Sequence, residues 1–324
     1  MRSKRDHGWT AAPARPKLRS RQGGLVTEGA AMELGKLGVW VSMDAMNAAE
    51  AAAFAGRIEA RGYAALWIPE SRGRNALVHS SWLLSNTQKL IVATGIANIY
   101  ARDPTAMAAA QKGLNEQSED RFLLGLGVSH APSVEGLRGH HYGKPLATMR
   151  AYVEGMKKAA YQAPEPHEKP RLILAALGPR MLELSAELAD GAHPYNTTPE
   201  HTRRARQILG PGKWLCPEQM VLFESDPGRA RAAARQTLAR YMQLDNYVRC
   251  WRQQGFGDEL AGGGSDRFVD AIVAWGDERA IGERVRQHWD AGADHVCIQP
   301  LGSAGSRQAV DERILDSLAP ARQS

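Results

Sequence analysis

The sequence of 324 residues predicts an α/β fold, a TIM-type (β/α)8 barrel with an insertion near its C-terminal mouth, and three observations support it. From Leu37 onward, short apolar runs alternate with longer segments of helical periodicity. The short runs are apolar on both faces, which is typical of parallel strands covered by helices on both sides. About eight such units follow one another, which favours a closed barrel over an open doubly wound sheet.

Eight apolar runs are predicted strands. The run LGVWVS is the first of them, and HVCIQ, near the end of the chain, is the eighth. In chain order the predicted strands are Leu37–Ser42, Ala65–Pro69, Leu90–Ile96, Phe122–Gly127, Leu172–Ala176, Gly191–His193, Glu218–Glu224 and His295–Gln299.

Local start and stop signals place helices between these strands. Asn47 is a favourable N-cap residue for a helix that continues to Arg61, and Gly62 ends that helix. Asp103 followed by Pro104 starts another helix, because proline is tolerated at the first helical position. Further helices are predicted at Asn75–Ser85 and Pro179–Leu188.

One segment, Gln243–Asp266, interrupts the alternation of strands and helices. It contains Tyr247, Trp251 and the glycine run 262–264. We interpret it as an insertion near the mouth of the barrel. Two roles stay open for it, a lid over the mouth and a passive surface loop.

The formal net charge of +6 is carried mainly by the start of the chain. Residues 1–31 contain seven basic and two acidic side chains, so the rest of the chain is nearly neutral. This distribution argues against nucleic acid as the main partner. The segment has no hydrophobic period, and we predict a disordered basic N-terminal extension, residues 1–31, followed by a barrel domain, residues 32–324. An organelle transit peptide is the alternative; in the interpretation we favour, the functional protein begins at Met32.

Two further features of the sequence narrow the class of protein. No run of about 18 apolar residues is present, so no membrane-spanning helix is predicted. Cys216, Cys250 and Cys297 are far apart and odd in number, which argues against a disulfide framework. Free thiols are usual in the reducing cytosol, and the expected localisation is therefore cytoplasmic.

Candidate site residues follow from the barrel itself, because active sites of such barrels lie at the C-terminal ends of the strands. No lysine stands at a predicted strand end, which argues against a Schiff-base aldolase. The first strand has no His-x-His pair, which disfavours the usual metal-dependent hydrolases. Glu70, His130 and His193 could converge as two histidines and one carboxylate, which is a recognised set of metal ligands. We keep this set as an alternative and predict that the protein has no metal site.

The positive signals favour a flat, phosphorylated cofactor. Gly178, Pro179 and Arg180 join the fifth strand to a helix, where free amides and an arginine make an anion site. The alternative is a tight turn whose arginine faces water. The pair Gly125 and Gly127 lacks the third glycine of a dinucleotide fingerprint, and we interpret it as a strand end that passes close beneath a ring.

Five segments in this order resemble the luciferase-like monooxygenase superfamily, and most closely its coenzyme F420-dependent oxidoreductases. The resemblance runs from about Met32 to the end of the chain, and its segments include ATGIANIYARDP, RFLLGLGVSH and AGADHVCIQPL. They are the ranges Gly62–Glu70, Ala93–Pro104, Arg121–His130, Leu174–Tyr195 and Ala291–Leu301.

The resemblance implies a barrel that holds a flavin or deazaflavin at the strand ends. It implies a non-proline cis peptide at Gly95–Ile96, behind the ring, and a phosphate-side loop at Ala176–Arg180. The residues expected to bind the cofactor are Gly95, Ile96, Asn98, Gly127, Val128, Ser129, Ala176, Leu177, Gly178, Pro179 and Arg180. The rim arginines Arg72, Arg74 and Arg102 would suit the polyglutamate tail of coenzyme F420.

Two departures from the family pattern bear on the reaction. Sugar-phosphate dehydrogenases of this family carry an acid and then a histidine after strand two, where this chain has Glu70 and Ser71. The acid that these dehydrogenases carry after strand four would fall in the region Val128–His130, where this chain has His130 instead. Both departures argue against the sugar-phosphate reaction. His130 is the first candidate for proton transfer, because an unperturbed imidazole titrates near neutral pH, and Glu70 is the second.

The expected function is hydride transfer between coenzyme F420 and a small organic substrate. One alternative keeps the fold but binds flavin mononucleotide (FMN) and activates O2 as a monooxygenase. Another is a barrel that binds a flavin without catalysis. The expected partner is a small-molecule substrate, with neither nucleic acid nor membrane, and a homodimer is left open.

Overall fold

The computed structural model describes residues 32–302, 305–306 and 310–322. The predicted N-terminal extension, residues 1–31, lies outside the described residues, so its prediction stays untested. Within the described part of the chain, no helix is long and apolar enough to cross a membrane.

Eleven parallel strands form the sheet of the described residues. Each of the eight predicted strands corresponds to one of them, usually with a shorter span. The strands are β1 Leu37–Trp40, β2 Ala65–Ile68, β3 Ile91–Thr94, β4 Ala97–Asn98, β5 Phe122–Gly127, β6 Leu172–Leu174, β7 Gly191–Ala192, β8 Trp214–Leu215, β9 Glu218–Leu222, β10 Val273–Trp275 and β11 Val296–Pro300.

The order of the strands confirms the predicted barrel. Hydrogen-bonded neighbours run from β11 through β1, β2, β3, β5, β6 and β7 to β8. Only Cys216 and Pro217 separate β8 from β9, and β9 pairs with β11, so the ring of strands returns to its start. Two short strands lie outside this ring: β4 pairs with β5, and β10 pairs with β9.

Helices follow the strands as predicted, and their ends match the capping signals. Asn47 caps the first helix in a reciprocal capping box with Glu50, and Asp103 caps the third, which begins at Pro104. The helices are α1 Ala48–Ala60, α2 Ala76–Ser85, α3 Pro104–Gln117, α4 Pro145–Lys158, α5 Pro179–Leu188, α6 Pro199–Leu209, α7 Pro227–Leu238, α8 Asp245–Gln253, α9 Asp266–Ile272, α10 Glu278–Asp290 and α11 Glu312–Ser317.

Side chains of the strands alternate between two apolar layers, as the period of a strand requires. Val39, Leu66 and Val92 belong to the layer between the strands and the helices. Trp40 and Trp67, their neighbours along the chain, belong to a second layer inside the barrel, together with Leu123, Ile173, Cys216 and Cys297. The described cysteines, Cys216, Cys250 and Cys297, are free and buried.

The segment Gln243–Asp266 is an insertion at the mouth, as predicted. It contains helix α8, in which Tyr247 and Trp251 are buried. Trp251 donates a hydrogen bond from Nε1 to the carbonyl oxygen of Asn196, at 3.0 Å, just after β7. Its indole also packs against Phe268. The insertion is therefore docked on the barrel by apolar contacts and a buried hydrogen bond.

Candidate functional site

A cavity of about 620 Å³ opens at the C-terminal ends of the strands. Its wall includes every residue that the sequence singled out for catalysis or cofactor binding. These residues are Glu70, Gly95, Ile96, Asn98, Gly127, Val128, Ser129, His130, Ala176, Leu177, Gly178, Pro179 and Arg180. The structure thus brings the predicted residues together; their individual roles stay predictions.

The floor of the cavity is made of backbone at the end of β3. The peptide between Gly95 and Ile96 is cis, as the resemblance implies. Trp40 donates a hydrogen bond from Nε1 to the carbonyl oxygen of Gly95, at 2.9 Å. A Cβ atom at Gly95 would lie 2.6 Å from that indole nitrogen, and one at Gly127 would lie 2.5 Å from the side chain of Ile96. Only glycine fits these two positions, because the side chains of Trp40 and Ile96 already occupy the space beside them.

Glu70 is held in a buried ion pair, which argues against the role of second proton donor or acceptor expected for it. Its carboxylate binds the guanidinium of Arg102, and the two side chains are 5% and 11% exposed. The same carboxylate accepts hydrogen bonds from the backbone amides of Asn98, at 2.9 Å, and Ala76, at 3.3 Å. With both oxygens engaged, Glu70 fixes the loop after β3 and is poorly placed to exchange a proton.

The geometry also limits which of the rim arginines can bind a polyglutamate tail. Arg102 is buried against Glu70, and Arg74 donates hydrogen bonds to the carbonyl oxygens of Met43 and Met46, so neither is free for an anionic ligand. Arg72 lines the cavity and is exposed. Of the three arginines assigned to a polyglutamate tail, only Arg72 keeps a suitable place.

His130 follows β5 and is half-buried in the cavity wall. Burial lowers the pKa of its imidazole, a hydrogen bond with Asn246 raises it, and the charge of Arg240 lowers it again. Its ring also lies 5.7 Å from the ring of Tyr247. Two of these neighbours, Asn246 and Tyr247, come from helix α8, so the insertion sets the environment of the first candidate for proton transfer.

The loop before α5 has the features of an anion site. Gly178 is the N-cap residue of this helix, no side chain caps it, and Pro179 occupies the first turn. A Cβ atom at Gly178 would meet nothing within 4 Å, so the space before the helix is open. Arg180 is exposed and makes no ion pair with any residue that the structure describes. The partial positive charge of the helix N terminus and the guanidinium act in the same direction.

Arginines dominate the charge of the cavity. Among its described lining residues Glu70 is the one acid, and Arg102 neutralises it. Five arginines line the same cavity, and none forms an ion pair within the described ranges: Arg72, Arg138, Arg180, Arg240 and Arg249. A local positive potential of this kind attracts an anionic ligand.

Several lining residues, among them Trp40 and Tyr241, were missed at the level of sequence, whereas for Tyr195 the sequence leaves open whether it lines the pocket or only packs. Tyr195 bonds through its hydroxyl to Tyr241, at 2.7 Å, and to Gln299 Oε1, at 2.7 Å, so three distant segments meet in one aromatic wall. Trp40 lies against Tyr195, with ring centroids 5.3 Å apart. The insertion adds a further set of lining residues: Leu244, Asn246, Tyr247, Arg249, Cys250 and Gln253. The unusual aromatic content of the insertion was the one available signal.

The alternative metal set does not assemble. The structure describes no group of three or more His, Cys, Asp or Glu side chains that could hold a metal ion. Glu70 is committed to Arg102, and His193 bonds through Nδ1 to the carbonyl oxygen of Cys216, at 2.7 Å. His193 lies deeper than His130, stacked on Trp67 with ring centroids 4.6 Å apart.

Comparison with known proteins points to one family. The family model described as luciferase-like monooxygenase matches residues 25–295. A protein of Mycobacterium tuberculosis, whose name assigns it provisionally as a coenzyme F420-dependent oxidoreductase, is 26% identical over 85% of this chain and 96% of its own length.

Solved structures share the fold at low sequence identity. An F420-dependent secondary alcohol dehydrogenase, in complex with an F420-acetone adduct, superimposes with a TM-score of 0.67 at 13% identity and covers 82% of this chain and 93% of its own. The oxygenating constituent of 3,6-diketocamphane monooxygenase from Pseudomonas putida, in complex with FMN, gives a TM-score of 0.64 at 13% identity, covering 89% and 98%. Both cofactors therefore occur on this scaffold.

Proposed function

The chain belongs to the luciferase-like monooxygenase family, and we propose that it is an oxidoreductase that transfers a hydride between coenzyme F420 and a small organic substrate. The observation that carries this proposal is the set of five arginines around a cavity whose one acid is already paired. Coenzyme F420 carries a phosphate and a polyglutamate tail, so it has more negative charge than FMN. The relative from M. tuberculosis, named for the same cofactor, supports this choice.

The residues present fit a planar, phosphorylated cofactor. The open space before α5, its uncapped N terminus and Arg180 suit the phosphate. Gly95 and Gly127 line the cavity, so a planar ring bound there would lie against backbone that carries no side chain at either position. When bound, the deazaflavin donates or accepts a hydride at a ring carbon.

The protein's own part in the reaction is to position the reactants and to handle the proton. His130 is neutral at neutral pH because burial lowers its pKa, so its imidazole can take the proton of an alcohol. In the opposite direction the protonated ring would return it. Tyr195, Tyr241 and Tyr247 pack against one another in an aromatic wall of the cavity, against which a substrate would be positioned.

A second candidate function is an FMN-dependent monooxygenase that uses O2. The observation in its favour is that the same fold holds FMN in the oxygenating constituent of 3,6-diketocamphane monooxygenase from P. putida. The single arginine beside the α5 loop, Arg180, is sufficient for one phosphate, and the other four arginines would then have no cofactor anion to bind.

Titration of the purified protein with coenzyme F420 and with FMN, followed by tryptophan fluorescence, distinguishes the two cofactors. We expect the deazaflavin to bind more tightly, and added salt to weaken its binding more than that of FMN, because more exposed charges are screened. Tight binding of FMN without a response to coenzyme F420 would contradict the proposal.

Turnover separates an enzyme from a barrel that only binds its cofactor. The deazaflavin absorbance should fall when secondary alcohols are supplied to the protein with oxidised coenzyme F420. Tight cofactor binding without turnover on alcohols, aldehydes or unsaturated carbonyl compounds would support the non-catalytic alternative.

A further inference from the structure

The buried histidine at the end of β7 has a fixed protonation pattern. His193 Nδ1 lies 2.7 Å from the carbonyl oxygen of Cys216. A carbonyl oxygen can only accept, so the hydrogen must be on Nδ1. Burial lowers the pKa of this imidazole to about 4, which keeps the ring neutral at neutral pH. Nε2 therefore carries a lone pair and no hydrogen.

That lone pair lies at the floor of the cavity. Nε2 is buried and has no hydrogen-bond partner among the described residues. His193 itself lines the cavity, and a Cβ atom built at Gly95 would lie 3.2 Å from Nε2. The ring cannot easily turn away, because it stacks on Trp67 with an interplanar angle of 14°. The acceptor is thus held in place beside the backbone of Gly95.

His295, the other histidine that contacts Trp67, shows what a satisfied acceptor looks like here. Its Nδ1 lies 2.9 Å from the carbonyl oxygen of Gly35, so it has the same tautomer as His193. Its Nε2 accepts a hydrogen bond from Trp67 Nε1 at 3.0 Å. Burying an acceptor without a donor is costly, and most buried polar atoms in proteins are paired. The difference between the two rings is that His193 faces the cavity.

We propose that His193 Nε2 accepts a hydrogen bond from an N–H or O–H group of the molecule that fills the cavity floor. The donor is either an N–H of the cofactor ring or the hydroxyl of an alcohol substrate. The inference rests on the proposed function only in taking this cavity as the binding site. A ligand with an N–H or O–H group at this position finds a preformed acceptor, whereas a ligand without such a group leaves Nε2 buried and unpaired. His193 therefore selects for ligands that carry a hydrogen-bond donor there. His193 is a binding residue, distinct from the proton-transferring His130.

The lone pair can be observed directly by 15N NMR of the full chain labelled at histidine. An unprotonated imidazole nitrogen moves upfield when it accepts a hydrogen bond. We expect the Nε2 signal of His193 to move on addition of coenzyme F420 or FMN if the ring is the donor. It should move with 2-propanol added to the cofactor-loaded protein if the substrate is the donor. The Nε2 signal of His295, already bonded to Trp67, is the internal reference and should stay still.

A variant gives an independent measurement. His193→Phe keeps an aromatic ring over Trp67 but removes both nitrogens. If the cofactor is the donor, its dissociation constant should rise about fivefold, the usual effect of one lost hydrogen bond. If the substrate is the donor, KM should rise instead with kcat changed little. The matched control is His79→Phe, because His79 is also buried with an unpartnered Nε2 but does not line the cavity.

The outcomes separate this inference from the proposed function. Fluorescence that responds to neither cofactor contradicts the proposed function, while titration of the cofactor-free protein with 2-propanol, followed at the Nε2 signal, still tests the acceptor. A normal cofactor response with an Nε2 signal that no probe moves contradicts the inference alone. It would mean that water is the partner of His193. Equal affinity and KM in a folded His193→Phe protein would lead to the same conclusion.

Discussion

Arginines on the outer helices and arginines at the mouth differ in whether they form ion pairs. On the outside, Arg57 binds Glu312 with two hydrogen bonds of 3.1 and 2.7 Å, and Arg150 binds Glu187 in the same bidentate way. At the mouth the arginines of the cavity wall have no such acid among the described residues: Arg72, Arg138, Arg180, Arg240 and Arg249.

The difference shows where charge is left for a ligand. Exposed ion pairs contribute little to stability, but they neutralise each other and leave the outer surface without a strong field. Unpaired guanidinium groups that surround a concave, partly apolar wall produce a local positive potential. The one pair at the mouth, Glu70 with Arg102, is buried and holds a loop. The unpaired charge at the mouth is therefore available for binding a ligand.

The largest effect is expected at the proton-transferring residue. His130→Asn should lower turnover by about 10²–10⁴-fold, the usual contribution of a general acid or base, and leave cofactor affinity nearly unchanged. The matched control is His141→Asn, an exposed histidine farther along the same loop that does not line the cavity. Steady-state kinetics and fluorescence titration check both variants. A loss of cofactor affinity in His130→Asn would make His130 a binding residue.

The next effect is on stability, at the paired part of the mouth. Glu70→Gln leaves the guanidinium of Arg102 buried without its counter-charge, which should lower the free energy of unfolding by about 3–5 kcal/mol. Glu165→Gln is the control, because its pair with Lys112 is exposed. Urea unfolding measures both changes. Equal stabilities would show that the buried pair behaves like a surface pair.

Removing one unpaired arginine should weaken cofactor binding. Arg180→Ala is expected to cost about 1–3 kcal/mol of binding free energy, because a charge-assisted hydrogen bond to the phosphate is lost. Arg150→Ala on the outer surface should leave affinity unchanged. Fluorescence titration at two salt concentrations tests this contrast, and equal losses in the two variants would remove the distinction between mouth and outer surface.

The parts of the site that the sequence predicted are those built from short local signals. The loop 176–180 needs only a strand end, a glycine and a proline at a helix start, so its place followed from neighbours in the chain. The ion pair of Glu70 with Arg102 joins residues 32 positions apart, and nothing local distinguishes a paired glutamate from a catalytic one. That is why Glu70 was assigned a proton role.

The same limit applies to the fold. The longer strands β9 and β5 were found, and so was the two-residue β7, which follows a predicted helix. The short strands β4, β8 and β10 were missed, because two or three residues leave little pattern of their own. Arg249 reaches the mouth because the insertion docks there through Trp251. Docking is a tertiary event, and the sequence predicted the insertion without its contribution to the cavity wall.

A smaller effect concerns pH. Burial lowers the pKa of His79, His193 and His295 to about 4 and that of His288 to about 3. The unfolded chain binds protons below about pH 6.5 whereas the folded chain does not. The free energy of unfolding therefore has its full value above that pH and falls as the pH drops toward 4. His79→Phe removes one such site, and the slope of the unfolding free energy against pH should fall by about 1.4 kcal/mol per pH unit. Urea titrations between pH 4.5 and 6, about the middle of this window, measure the slope, and an unchanged slope would place His79 in contact with solvent.

Deletion of residues 1–31 should have the smallest effect. These residues carry most of the formal net charge of +6, but they precede the barrel domain that the sequence predicts. If binding depends on the few arginines of the cavity wall, the truncated protein loses net charge and keeps its affinity for coenzyme F420. Only the rate of association should fall slightly, because long-range attraction of an anion depends on total charge and is screened by salt. Stopped-flow binding at low and high salt measures both quantities, and a weaker equilibrium affinity would mean that the basic segment contacts the cofactor.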